Sequence, residues 1–392
     1  MNKQSVLFQL IMASLWGTHV DDKIDKKIYD DMKTHAIYAL PAQVLSTLNM
    51  DDTLKKEWTT TIIRQVSHYT QYSYIQSHLP IHVPYVILKG TTAAQYYPHP
   101  QYRVLGDIDI ITRREDYSLA CDILKKNGYK EITTQNEFDQ GRHRSFLING
   151  FVVEIHSYFA MFSDPVKAEW LDNHIIENIN DTHVLPDLVN GMVLLEHINQ
   201  HLEEGIGLRQ IIDWMMFSDK VLTDEKWVEF KKQAEFLGLE YLAIVITKMC
   251  EIYLGLPKKN WSNEVSEDIC EQLMDYIMSC GNFGTIRSRN ISIGENVFYA
   301  MKTPKSFWEL LQERGVINWK AAQKYHFLKP LAFVYQATRY IFMGFKREKA
   351  LLQIKNEYEL AKQRRHLFES LGVKQKGKGL AVYIDGHYIK QS

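Results

Sequence analysis

The sequence predicts an α+β protein, a small mixed sheet set into an otherwise helical chain. Three observations predict it. Nearly all strand character in the 392 residues lies between residue 84 and about residue 160. Apolar residues recur at helical spacing on both sides of that stretch. Within it, Asn149-Gly150 separates two alternating runs and forms the strongest short hairpin signal in the chain.

Each element follows from local chemistry. Val6, Leu7, Leu10 and Ile11 share a helical face, and with Gln9 breaking the apolar run they suit a buried helix better than a signal peptide. Tyr85-Val86-Ile87-Leu88 reads as a buried strand, and Lys89-Gly90-Thr91 ends it and opens a short helix-like segment to Tyr97, before Pro98 and Pro100. Asp107–Thr112 alternates as a strand, and Glu115–Asn127 has a helical pattern terminated by Gly128. Arg144–Ile148 and Phe151–His156 flank the Asn-Gly turn. Beyond residue 165 the helical patterns include Leu188–His201, Leu208–Phe217, Tyr241–Leu254 and Trp319–Phe345. The expected divisions are an N-terminal helical segment (1–80), the α/β core (81–165), a C-terminal helical domain (166–372) and a basic, flexible tail (373–392).

Composition narrows the functional classes. Forty-six basic residues against 47 acidic ones give a formal net charge of −1, which removes the long-range electrostatic argument for a nucleic-acid or membrane binder. The longest apolar runs fall far short of the ~20 residues that span a bilayer. Four cysteines without a CxxC pair suit reduced thiols, so a soluble, cytoplasmic protein is expected.

The residues that carry chemistry are in the middle stretch. Asp107 and Asp109 are two apart on a strand and project from one face, where two carboxylates repel each other unless a cation lies between them. By the same parity Glu154 and His156 share a face of the hairpin strand. If the two strands pair with those faces aligned, Glu154 becomes a third acid of one oxygen-rich site suited to Mg²⁺ or Mn²⁺. An isolated Asp-x-Asp is more often a solvated strand edge; here flanking apolar residues demand burial. Gly90 lets backbone approach a ligand closely, with Thr91 beside it. His156 suits a base, a metal neighbour or an orienting partner of Glu154. Arg142, His143 and Arg144 form a basic cluster that reads as a solvated loop, with contact to a phosphate or anionic acceptor as the alternative. His197 and His201 have zinc-like spacing without an HExxH motif or a third ligand at motif spacing. Arg209 and Asp213, four apart on a helix, read as an ion pair.

The run Leu88-Lys89-Gly90, then Tyr97-Pro98, Arg103, Asp107-Ile108-Asp109 and Val153-Glu154-Ile155-His156 resembles the uncharacterised nucleotidyltransferase family of the DNA-polymerase-β-like superfamily. Gly205-Ile206-Gly207-Leu208-Arg209-Gln210-Ile211-Ile212-Asp213-Trp214 is similar to a signature of that family's helical half, particularly in bacterial members. The superfamily has Gly-Gly or Gly-Ser where this chain has Gly90-Thr91, and a shorter interval from there to the acidic pair. The resemblance implies a polymerase-β-like core that transfers a nucleoside monophosphate from an NTP to a hydroxyl acceptor and releases pyrophosphate. Asp107, Asp109 and Glu154 would hold Mg²⁺ (or Mn²⁺), and Lys89, Gly90, Thr91 and Arg103 the nucleotide, with a structural ion pair the equal alternative for Lys89 and for Arg103. His156, Arg209 and Asp213 would be accessory, the last two closing over the site. A small-molecule or sugar-like acceptor suits the neutral charge better than nucleic acid. The alternatives are a protein-nucleotidylating enzyme and a non-catalytic, antitoxin-like nucleotide binder.

Overall fold

A computed structural model describes residues 5–134, 141–284, 307–345, 363–373, 381–384 and 387–390. Its chain divides into two compact units, Met1–Arg287 with Leu371–Ser392, and Ser288–Ser370.

The larger unit is mixed α+β. Its helices α1 (Val6–Trp16), α2 (Lys26–Thr34) and α3 (Asp52–Ser77) precede the sheet. In α1, Leu7, Phe8, Leu10 and Ile11 are buried, which satisfies the apolar face the sequence offers. Asp51 caps α3 by accepting from the amides of Thr53 and Leu54. Five strands follow: β1 (Tyr85–Leu88), β2 (Ile108–Thr112), β3 (Lys130–Glu131), β4 (His143–Ile148) and β5 (Phe151–His156). Between them lie the four-residue helix α4 (Thr91–Ala94) and α5 (Tyr117–Lys126).

The sheet order is β1-β2-β5-β4-β3. β2 is antiparallel to β1 and parallel to β5, whereas β5 and β4 form the expected hairpin. Its turn residues Asn149 and Gly150 have φ of 50° and 87°, the pair of left-handed residues that matches strand twist. Ile108, Ile110, Phe146, Ile148, Val153 and Ile155 point into one core with Tyr72 and Ile75 of α3 and Ala120 and Leu124 of α5. The opposite sheet face is therefore left to the polar residues of β2 and β5. The free edge of β1 is covered: the Ile87 amide donates to the His183 carbonyl (2.9 Å), and His183 Nδ1 meets the Tyr85 carbonyl at 2.9 Å.

Helices α6 (Pro165–Glu177), α7 (Asp187–Leu202), α8 (Leu208–Lys220), α9 (Asp224–Leu237), α10 (Glu240–Tyr253) and α11 (Glu267–Cys280) complete the helical part of this unit. In α8 every residue from Leu208 to Ser218 is buried, so this helix runs through the middle of the packing. Among the described residues no helix is long and apolar enough to cross a membrane.

The chain's end differs from the loose tail expected of it. Ala381–Ile384 (β6) and His387–Lys390 (β7) pair as a hairpin. It docks through the Ala381 amide to the Phe162 carbonyl (2.8 Å), a Tyr388–Tyr158 ring contact, and Arg114 over the Tyr383 ring. Aromatic content holds it. The basic run Lys374–Gly379 lies outside the described residues.

The smaller unit contains α12 (Phe307–Asn318), α13 (Lys320–Lys324), a 3₁₀ turn at His326–Leu331 and α14 (Ala332–Phe345). The single helix expected over Trp319–Phe345 is broken there. Pro330 falls inside that turn and cannot continue an α-helical hydrogen-bond ladder. Trp319 stacks on Tyr335, and Asn318 Nδ2 donates to Gln336 Oε1 (3.1 Å), folding the pieces back on one another.

Candidate active site

The turn after β1 is strained by design of its surroundings. Lys89 and Gly90 both have positive φ, 59° and 56°. A Cβ added at Gly90 would lie 2.5 Å from Tyr72 Oη, so glycine is required on two grounds. That hydroxyl donates to the Asp107 carbonyl oxygen (2.9 Å). One tyrosine of α3 thus sets the spacing between the β1 turn and the start of β2.

The turn aims Lys89 across the sheet, where its Nζ lies 3.1 Å from Asp109 Oδ1. Asp109 is in register with Glu154 on the parallel strand β5, so their side chains stand on one face of neighbouring strands. His156 Nε2 lies 3.1 Å from Asp109 Oδ1 and 3.4 Å from Glu154 Oε2, so both carboxylates face one imidazole nitrogen. On β4, His143 Nε2 approaches Glu154 Oε1 at 3.6 Å. Asp107, Asp109, Glu154, His143 and His156 line one cavity of about 270 Å³.

The electrostatics separate the two aspartates. Desolvation of its carboxyl raises Asp107 to about 6 although the residue as a whole is exposed, and the negative charges of Glu154 and Asp109 add to the effect. Burial also opposes charge on Asp109, but the Lys89 ammonium and then His156 outweigh it and hold that carboxyl well below its ordinary range. Two adjacent acids pushed in opposite directions are a pattern of functional sites. The acids offer oxygen donors of the kind a hard divalent cation takes: Lys89 is paired with Asp109, so the carboxyl of Asp107 keeps the less compensated charge beside Glu154.

A second set of residues forms the cationic wall. Lys89, Arg103, Arg142 and Arg209 all line the cavity. Arg103 is committed elsewhere: its Nε and Nη2 donate to the two oxygens of Asp213 at 2.7 and 2.6 Å, in a fully buried fork. Tyr97 Oη donates to the same carboxylate (2.7 Å). The ion pair read within α8 is therefore replaced by one between α8 and the loop before β2, because Asp213 meets the planar fork of Arg103. Arg209 donates to the Val104 carbonyl (3.3 Å) and leaves its buried Nε without a hydrogen-bond partner.

A family model described as an uncharacterised nucleotidyltransferase matches residues 23–255. The chain belongs to that family. No curated protein and no solved structure matches it. The matched span covers α2 through α10, hence the whole five-stranded sheet and the cavity's lining residues apart from Phe283.

Within this nucleotidyltransferase chain, Asp107, Asp109, Glu154, Lys89, Gly90, Arg103, His156 and Arg209 come together around the cavity, whereas Thr91 and Asp213 are not among its lining. The Thr91 hydroxyl donates to Gln76 Oε1 (2.8 Å), and the Thr92 amide is used in a turn to the Lys89 carbonyl (3.0 Å). Arg142 and His143, read as a solvated loop, instead line the cavity with His197 and His201. The signal for His143 was strand parity. β4 begins at His143, which pairs with His156, while Arg144 faces the other way and binds Glu131 by two bonds of 2.6 and 2.7 Å. Among the described residues the group with metal-ligand geometry is His143, Glu154 and His156, so the His197/His201 pair does not provide a metal site by itself. Nothing in the sequence pattern marks Tyr72, which serves through contacts made across 35 positions of chain.

Proposed function

We propose that this nucleotidyltransferase-family protein carries out a metal-dependent transfer of a nucleoside monophosphate from an NTP to a hydroxyl acceptor, with release of pyrophosphate. The observation that carries the reading is the register of Asp109 with Glu154 on parallel strands, with Asp107 beside them in a cavity walled by cations. Asp107, Asp109 and Glu154 would hold Mg²⁺ or Mn²⁺. Such ions, when bound, acidify the acceptor hydroxyl and neutralise charge on the transferring phosphate.

The chain's own residues supply the rest. Lys89 and Arg209 offer positive charge toward the triphosphate, Lys89 as a point charge and Arg209 as a planar group, whereas the Nη atoms of Arg142 are bound within the protein to Met161, Phe159 and Gln200. Arg103 acts through Asp213 as a positioning residue, since its fork is occupied. Gly90 allows backbone to approach the nucleotide where any side chain would collide with Tyr72. The acceptor oxygen attacks the α-phosphorus in line. Its bond to phosphorus forms as the bond to the bridging oxygen breaks, and that oxygen leaves with the electron pair on pyrophosphate. Glu154 would take the hydroxyl proton, with His156 orienting its carboxylate. The near-neutral chain favours a small-molecule or sugar-like acceptor.

Equilibrium binding of each NTP, with and without Mg²⁺ or Mn²⁺, tests the proposal. Metal-dependent binding should weaken about tenfold or more on Asp107→Asn or Asp109→Asn. Binding that is unchanged in both variants would sink the metal-site reading.

A further inference from the structure

The acid nearest the proposed acceptor side is not in an all-oxygen setting. Glu154 stands between two imidazoles, His156 on its own strand and His143 on the neighbouring one. Their ligand-capable atoms lie within 4.8 Å of one another. His143 Nε2 is 3.6 Å from Glu154 Oε1 and His156 Nε2 is 3.4 Å from Glu154 Oε2. These separations are long for hydrogen bonds between a ring nitrogen and a carboxylate. The two distances run to different oxygens of Glu154, so the three side chains converge on one point of the cavity without a formed coordination shell.

We infer that His143, Glu154 and His156 form a seat for a borderline divalent transition ion, of the Zn²⁺ and Co²⁺ class, in preference to Mg²⁺. Two nitrogen donors and one carboxylate are a poor match for Mg²⁺, which keeps oxygen ligands and water, and a good one for ions that accept imidazole. The strands make the seat rigid. His143 and His156 are direct register partners across the β4–β5 ladder, their ring centroids are 5.1 Å apart, and His156 is buried. Three ligands leave an open position toward the cavity, as in catalytic rather than structural zinc sites. Asp109 Oδ1, 3.1 Å from His156 Nε2, lies at the border between this seat and the carboxylates of Asp107 and Asp109. The two halves of the cavity floor thus differ in ligand chemistry, nitrogen-rich on the β4–β5 side and oxygen-only at Asp107 and Asp109. The inference shares Glu154 with the transfer reading and rests on it for catalytic use, whereas occupancy of the seat does not depend on it.

Titration of metal-free protein with Co²⁺ alone tests the seat, because nitrogen-ligated Co²⁺ of low symmetry gives visible absorption. One Co²⁺ per chain is expected, at least about a hundredfold tighter than Mg²⁺ and displaced by Zn²⁺. His143→Gln should lower the Co²⁺ affinity about tenfold or more and change the spectrum, with the thermal melt of metal-free protein unchanged. If that variant does not fold, His156→Gln and the wild-type spectrum take its place. Co²⁺ binding no tighter than Mg²⁺, a spectrum of fully hydrated Co²⁺, or affinity unaffected by these substitutions would overturn the seat. The transfer reading fails on a different result, pyrophosphate release that persists in Asp107→Asn, which leaves the Co²⁺ outcome untouched.

Discussion

Asp107 is costly to keep ionised in the metal-free protein. Its carboxyl is raised to about 6 in the folded chain, against ~3.9 when unfolded. A raised carboxyl stabilises the folded state at low pH, and that contribution disappears as pH rises through about 6. Asp107→Asn should therefore raise the melting temperature of metal-free protein at pH 7.5 and have little effect near pH 4. The size expected is on the order of 1–2 kcal/mol after allowance for solvent screening. A variant that gains stability and loses metal-dependent binding is the mark of an acid kept for function. Gly90 makes a separate case. Gly90→Ala places Cβ against Tyr72 Oη and forces an L residue to positive φ, so a loss of about 2–4 kcal/mol in denaturant unfolding is expected. Tyr72→Phe in the same chain should restore part of that loss, since it removes the atom met while leaving the strained φ.

Pairing of strands carried much of the site's legibility. Parity alone put Asp107 and Asp109 on one face and Glu154 and His156 on another; the parallel β2–β5 register aligns Asp109 with Glu154, whereas Asp107, expected to begin the strand, lies one residue before it. The Asn149-Gly150 turn fixed that hairpin from local chemistry. What parity missed began one residue early: β4 starts at His143, so a side chain read as loop lies in the cavity. The tie between the loop before β2 and α8 was illegible for another reason. Asp213 is four residues from Arg209 and 110 from Arg103, yet it bonds the distant arginine, because spacing predicts neighbours on a helix and is silent on what packs against it. That buried pair gives a prediction of its own. Asp213→Ala leaves the Arg103 charge unpaired and should cost about 3–5 kcal/mol in urea unfolding. The double change Arg103→Met with Asp213→Leu should recover most of the loss. Little recovery would mean that the fork does more than balance two charges.

Across the larger unit, the buried carboxyls of Asp172 and Glu196 and the more exposed carboxyl of Asp107 are held in raised states. Asp107 and Asp172 rise to about 6 and Glu196 to about 7, burial being the first cause in each. Asp172 accepts the amides of Phe159 and Ala160, and Glu196 that of Met161, so they anchor the segment that follows β5. All three favour the folded chain at lower pH and lose that contribution as pH rises through 6 to 7. His35 opposes them: burial lowers it to about 4, so the unfolded imidazole gains a proton below ~6.5 and the folded one does not. These acids act to lower the melting temperature of metal-free protein as pH rises through 6 to 7, while the lowered His35, His68, His197 and His201 act to raise it as pH rises toward ~6.5. A divalent cation should recover part of that loss, through Asp107. The class of fold could be read from the sequence because most strand character falls in one stretch. The division into two units, and the docked hairpin at Ala381–Lys390, could not, since both depend on contacts between distant segments.

The most direct test is pyrophosphate release from each of the four NTPs with Mg²⁺ or Mn²⁺, a metabolite extract supplying acceptor hydroxyls. The wild-type chain should release pyrophosphate from at least one NTP in a metal-dependent way. Asp107→Asn, Asp109→Asn and Glu154→Gln, each shown to fold, should reduce the rate about a hundredfold or more. No metal-dependent release from the wild type, or release undiminished in all three variants, would contradict the assignment of these acids to nucleotidyl transfer.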